Sequence, residues 1–298
     1  MPARNIEAQI EQLSRLRGGP PSEAVAPVRK ALTDRVNLVV AKAATIAGEL
    51  LIHEATPDLV RVFERLLEDP VKRDPQCWGK NAIAKALKEL EHRESAVFLR
   101  GARHVQMEPV WGGQEDTAGT LRGICLLALV ACADLKREEI LRHLVNGLTE
   151  AGPTVRVDAA RAIAQMGGEE AALLLRLKAR MGDREASVTG QALEGLLAVE
   201  RKEALGFVAE FLSPAGGEIA EEAALALGAS RMAAAVELLR DAWSRSRHPE
   251  FRGVVLRGLC ISRDEQALGF LEELVKNGRE QDAADARAAL SLLRNSAQ

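Results

Sequence analysis

The sequence predicts an all-α solenoid of about eight two-helix repeats. Three observations predict it. Apolar residues recur along the whole chain at intervals of 31 to 42 residues, and the apolar positions inside each unit follow helical spacing. No segment alternates with a period of two for long enough to predict a strand. Composition agrees. Only six Phe and three Trp are present among 298 residues, with no Tyr, so small-residue contacts between helices must fill the interior.

Along the chain, residues 1–17 read as an N-terminal capping helix, with Ile6 to Leu16 as its amphipathic part. One apolar anchor per unit then marks the repeats: Leu13, Ile46, Leu87, Leu129, Ile163, Leu196, Leu227, Leu259 and Leu290. Their spacings are 33, 41, 42, 34, 33, 31, 32 and 31 residues. The clearest unit, Val155 to Asp183, has an apolar–basic start, a small-residue helix, a Gly break and a second amphipathic helix. The same order recurs from Leu38, from Ile219 and from Phe251. In the helix predicted from Lys136 to Leu148, Ile140, Leu141, Leu144, Val145 and Leu148 share one face, and Asp134 stands where it would cap the start. Paired alanines (Ala43-Ala44, Ala159-Ala160, Ala223-Ala224) permit close helix approach. The expectation is one domain over residues 1–298, with nine inner and eight outer helices.

These units resemble HEAT-like repeats of the phycobilisome-lyase type, which read approximately V-R-x-x-A-A-x-A-L-G followed by a break and an A-V-x-x-L helix. VRVDAARAI and the early SEAVAPVRKAL carry the resemblance best. It implies a right-handed α–α superhelix with the V-R helix on the concave face. The basic residue of the motif falls on Lys80, Arg122, Arg156 and Arg252, and is lost at Val39, Thr189, Ala220 and Ala283. Such repeats serve scaffolds, enzymes and chaperones alike, so function must be argued from a site.

The two long intervals locate that site. About ten extra residues fall between the helices of two consecutive units, as insertions 68–80 and 105–117. Each contains Pro and Trp. Insertions at equivalent points of adjacent repeats emerge on one edge, and Trp is enriched at binding hot spots. Two readings stay open: the indoles of Trp78 and Trp111 cover their own repeats, or they form a partner-binding edge rimmed by Lys72, Arg73 and His104. Glu68, Asp69, Asp74 and Glu108 offset much of that positive charge. A second candidate surface is the concave row Lys85, Arg161 and Arg257.

Enzymatic classes fare less well. A di-iron hydroxylase built on similar repeats places His-Glu pairs after each V-R step. The eight corresponding pairs, from Val40-Ala41 to Ala284-Asp285, contain no His. An alkyl-base DNA glycosylase needs a basic groove. Here Asp158, Glu194, Glu221, Glu222 and Asp285 interleave with the concave cations, so no nucleic-acid partner is expected. His104, Glu108, Glu115 and Asp116 fit no metal-ligand spacing, and Gly18-Gly19 and Gly112-Gly113 are breaks rather than phosphate loops. Cys77, Cys125, Cys132 and Cys260 show no C-x-x-C spacing and read as core thiols. The formal net charge of −3 and the absence of a long apolar run or a leader-like start predict a cytoplasmic protein without a membrane. The sequence therefore predicts a non-catalytic protein-interaction scaffold with a protein partner, no cofactor and no metal. Its alternative is a lyase or chromophore-handling protein of the bilin-lyase-like class.

Overall fold

The computed structural model describes residues 6–295. Its helices are α1 (Ile6–Arg15), α2 (Pro21–Leu32), α3 (Asn37–Glu49), α4 (Thr56–Leu67), α5 (Pro70–Arg73), α6 (Trp78–Glu89), α7 (Ser95–Ala102), α8 (Gly119–Leu129) and α9 (Arg137–Gly147). They continue as α10 (Pro153–Met166), α11 (Gly168–Met181), α12 (Ala186–Glu200), α13 (Leu205–Ala209), α14 (Glu218–Ala229), α15 (Ala233–Arg245), α16 (Pro249–Ser262), α17 (Glu265–Asn277) and α18 (Glu280–Asn295). Strands β1 (Met107–Val110) and β2 (Gly113–Asp116) form a single antiparallel hairpin between α7 and α8.

Among the described residues the protein is thus all-α apart from that hairpin, and its helices pack mainly on near neighbours along the chain. Two compact units divide at Ala159 and Ala160, inside α10. In the first, α1, α3, α6 and α8 stack as the inner row, while α2 and α4 pack outside them. In the second, α12, α14, α16 and α18 form the inner row, with α11, α15 and α17 against it.

The repeat register explains the cores. Eight anchors, Leu13 through Leu259, are buried, and Leu290 in the final helix is half-buried. Phe63, Ile83, Leu87 and Phe98 fill the first unit; Leu193, Leu196, Leu227 and Leu256 fill the second. Small residues set the spacing between inner helices. A methyl group on Gly228 of α14 would meet the Gly258 carbonyl oxygen of α16 at 2.1 Å, so these two backbones are in direct contact.

The basic residue of the V-R step has a structural role. Standing at the start of an inner helix, it reaches back to carbonyls at the end of the preceding outer element, which have no partner inside their own helix. Arg122 donates to the His104 carbonyl at 2.9 Å, and Arg156 to those of Glu150 and Ala151 at 2.7 Å. Arg252 serves Trp243 and Ser246, and Lys80 reaches Leu66. Where Val39 has replaced the cation, Arg65 of α4 supplies the missing donors to Leu32, Thr33 and Asp34.

Two expectations need correction. Asp134 does not cap α9. Its carboxylate accepts from the backbone N–H and hydroxyl of Ser95 and so caps α7, while Glu139 bonds back to the Lys136 amide at the start of α9. The hairpin was not expected. Its strands have four residues each, and its inward position is the polar Glu108, so no apolar alternation marks it.

Candidate functional site

Both insertions fold into ordered structure rather than open loops. The first runs from Asp69, in the left-handed region, through the single turn of α5 to a 3-10 turn at Pro75–Cys77. Gln76 and Cys77 are also left-handed, with φ of 58° and 56°. Side chains other than Gly pay for that conformation, and such strain persists only where surrounding contacts impose it.

Asp74 imposes it here. Its side chain and that of Lys80 are both fully buried (0 % exposed), with Lys80 Nζ 3.0 Å from Asp74 Oδ2. The same carboxylate accepts from the backbone N–H groups of Gly79 (2.7 Å) and Lys80 (2.9 Å), the first turn of α6. It also accepts from Asn37 Nδ2 at 3.0 Å. A negative charge at a helix N-terminus is favoured, and four donors replace the water lost on burial. Trp78 consequently begins a repeat helix instead of lying in a loop. It is 52 % exposed, and its Nε1–H donates to Gln76 Oε1 at 2.9 Å.

The second insertion is the β1–β2 hairpin with flanking residues. Val110 pairs with Gly113, so Trp111 and Gly112 form a two-residue turn, and Gly112 takes the φ of +91° that the turn needs. Trp111 at the tip is fully exposed (103 %). Val105, Met107 and Val110 are exposed beside it.

Glu108 joins the two insertions. Its Oε1 accepts from the Gln76 backbone N–H (2.6 Å), from Gln106 Nε2 (2.6 Å) and from Thr117 Oγ1 (2.7 Å). Gln106 Nε2 also donates to the Asp74 carbonyl at 2.9 Å. Burial opposes the charge on Glu108. The bonds from Thr117, Gln106 and Gln76, with Lys80 nearby, outweigh it and hold the carboxyl below its ordinary range. At the hairpin's base Arg122 meets Asp116 at 2.7 Å, and Asp116 accepts from the backbone N–H groups of Gln106 and Ala118. Two strands alone are marginal in water; this network supplies the missing support.

Of the predicted site residues, Trp78, Trp111, Lys72 and Arg73 therefore lie on two insertions that the structure ties together, and His104 stands immediately before the second. Lys72 is exposed on α5; Arg73 pairs with Glu68 at 3.0 Å. His104 is half-buried, and its Nε2 lies 3.1 Å from Gln106 Oε1. Burial, with Lys80 and Arg122, lowers its pKa, so the ring is neutral at pH 7 and contributes no charge to the rim.

The three cations of the second predicted surface are each engaged. Lys85 on α6 lies 3.8 Å from Glu89, Arg161 donates to Gln191 Oε1 at 2.9 Å, and Arg257 meets Glu221 at 2.6 Å. Arg257 also borders a groove of about 900 Å³ in the second unit, with Phe251, Val254, Asp285 and Leu292. The third tryptophan, Trp243, is half-buried under the Arg252 guanidinium and edge-on to Phe270. It shows how an indole packs in this fold when it serves the repeat.

Sequence reasoning missed Asp74, Gln106, Glu108 and Thr117 as the parts that hold this edge together. Their polarity reads locally as solvated loop, and only the pairing between insertions reveals their burial. Among the described residues no group of three His, Cys, Asp or Glu side chains could hold a metal ion, and no helix is long and apolar enough to cross a membrane.

No family model matches the chain, and no curated protein matches it. Solved structures similar to it include human deoxyhypusine hydroxylase in complex with glycerol, at 18 % identity and a TM-score of 0.33, over 99 % of this chain and 93 % of that one. Two engineered proteins are similar at 15 % and 17 % identity, with TM-scores of 0.32 and 0.29. The first comparison covers 98 % of this chain and 97 % of the other; the second covers 91 % and 96 %. Likeness at this level transfers no property to this chain.

Proposed function

We propose that the protein is a non-catalytic protein-interaction scaffold of HEAT-like repeats whose contact edge is formed by the two insertions. The observation that carries this reading is the placement of Trp111. A fully exposed indole stands at the tip of a hairpin whose base is fixed by a buried polar network. Exposing that much apolar area without a partner is unfavourable, and a rigid aromatic loses little entropy on binding. Trp78, Lys72, Arg73 and His104 belong to the same edge, with the groove beside Arg257 as the second contact surface.

The test is affinity capture from lysate with wild type beside the Trp78→Ala/Trp111→Ala double variant, both checked for helicity. A protein retained by wild type and lost by the folded variant supports the edge. Retention by both moves the contact away from the insertions, with Arg257→Ala as the next variant. A spectral change on titration with a tetrapyrrole, and no captured protein, would replace the scaffold with the chromophore-handling alternative.

A further inference from the structure

We propose that the groove bordered by α14, α16 and α18 receives a basic peptide segment that also carries bulky apolar side chains. This rests on the scaffold reading and names the chemistry of the partner at its second contact surface.

The groove lies wholly within the second unit. Phe251 and Val254 of α16 and Leu292 of α18 give it an apolar lining, and Leu292 is exposed. Three carboxylates line it, Glu221, Glu250 and Asp285, against one cation, Arg257. That cation is already committed to Glu221. Asp285 accepts only from Gln281 Nε2, at 3.0 Å. The negative charge continues along the same face with Glu218 and Glu222 on α14 and Glu194 on α12. None of Glu194, Glu218, Glu222, Glu250 and Asp285 makes an ion pair among the described residues. Arg247 and Arg279, in the turns before α16 and α18, are exposed but do not line the groove. Burial, with Glu221, Glu194 and Glu218, raises the pKa of Glu222, as expected where carboxylates crowd together with too little positive charge between them.

Glycines seat two of these carboxylates. The residue after the cation position of the V-R step is Gly190 in α12 and Gly253 in α16. A methyl group on Gly190 would meet Glu222 Oε2 at 2.2 Å, and one on Gly253 would meet Asp285 Oδ2 at 3.2 Å. Each carboxylate therefore lies against the preceding inner helix in space that any other residue would fill. In the first unit Gly123 and Asp158 repeat the arrangement, so it belongs to the repeat rather than to one loop. Crowding like charges this way costs stability, and such costs collect where a ligand is met. A segment with Lys or Arg beside large apolar side chains matches both features of the groove. Its cations neutralise carboxylates that folding leaves without partners, and its apolar side chains cover Val254 and Leu292. Acidic competitors meet like charge and are rejected.

The experiment uses the full chain and a short labelled peptide alternating Lys and Leu, with Glu–Leu and Lys–Ser peptides of equal length as controls. Anisotropy should show saturable binding of the Lys–Leu peptide, weakening as sodium chloride is raised. Binding should fall by about tenfold or more in Glu250→Gln/Asp285→Asn, which removes charge with little change of volume and whose folding is checked by thermal melting. It should fall also in Leu292→Ala, and it should tighten in Arg257→Gln, which releases the Glu221 carboxylate. Equal binding of either control peptide, indifference to loss of the two carboxylates, weaker binding in Arg257→Gln, or no saturable binding would overturn the proposal. So would loss of peptide binding in Trp78→Ala/Trp111→Ala, which would place the contact on the insertions. A protein captured from lysate through Trp78 and Trp111 would sustain the scaffold reading even with this proposal overturned.

Discussion

Asp74 joins several parts of this structure. It neutralises a fully buried ammonium, caps the first turn of α6 and holds the backbone that turns into the left-handed pair Gln76 and Cys77. Removing one member of such a pair leaves an uncompensated buried charge. Asp74→Ala should therefore cost about 3–5 kcal/mol, read as a shift of the urea midpoint, with Asp74→Asn costing less because it keeps one acceptor. A carboxylate in the second unit behaves oppositely. Burial, with Glu221, Glu194 and Glu218 nearby, raises the pKa of Glu222. Ionisation then costs more in the folded than in the unfolded state, so this residue's contribution to stability falls as pH rises through the ordinary carboxylate range. Glu222→Gln should melt at a higher temperature than wild type at pH 7, and the difference should close by about pH 4.

Among the elements, the hairpin is tied to the first insertion through one acceptor, Glu108. Glu108→Ala should leave most of the helices folded but raise amide exchange over residues 105–117 by about tenfold or more, since three hydrogen bonds between the insertions and within the hairpin base are lost. The depressed pKa of Glu108 sets the pH sense. Its contribution is present above the unfolded pKa and is lost as pH falls through the lower folded value, so wild type in acid should loosen at the same residues. In the second unit the contact between α14 and α16 is backbone against backbone. Gly228→Ala should cost about 1–3 kcal/mol of stability in chemical denaturation, because no side chain can rotate away. Several inner helices also end on left-handed residues that are not glycine: Leu51, Glu91, Arg231 and Arg263. Bonds such as Ile52 N–H to the Ala47 carbonyl and His92 N–H to the Leu87 carbonyl, both 2.9 Å, close these turns. The missing glycines are why these ends leave little trace in the sequence.

At the scale of the molecule, the cysteines report on the integrity of both units. All four thiols are buried and unpaired. Burial pushes Cys77 and Cys132 up to about 11 and raises Cys125 and Cys260 as well. At pH 8 the thiolate fraction of a group at about 11 is on the order of a hundredfold below that of a free cysteine, before access is counted. Native protein should release much less than one equivalent of chromophore from a disulfide reagent within minutes. Four equivalents should appear in guanidinium. Rapid modification of a native cysteine would show that its unit opens far more readily than the packing implies.

What the sequence determined by itself is the all-α repeat pattern and its register. Apolar spacing within about forty residues is a local property, and burying one face of each helix leaves few ways to satisfy it. The anchors Leu13 to Leu259 are buried accordingly. The V-R cations were legible as a motif, yet their work as caps on the preceding carbonyls was not. The tertiary structure alone decided the hairpin, the exchange of Asp134 from α9 to α7, and which charges of the two insertions are buried. Gln76 and Glu108 lie 32 positions apart, and Ser95 and Asp134 lie 39 apart. Residue type and spacing do not specify which polar groups meet across such separations. Whether a charge is buried with a partner or left facing water depends on that meeting.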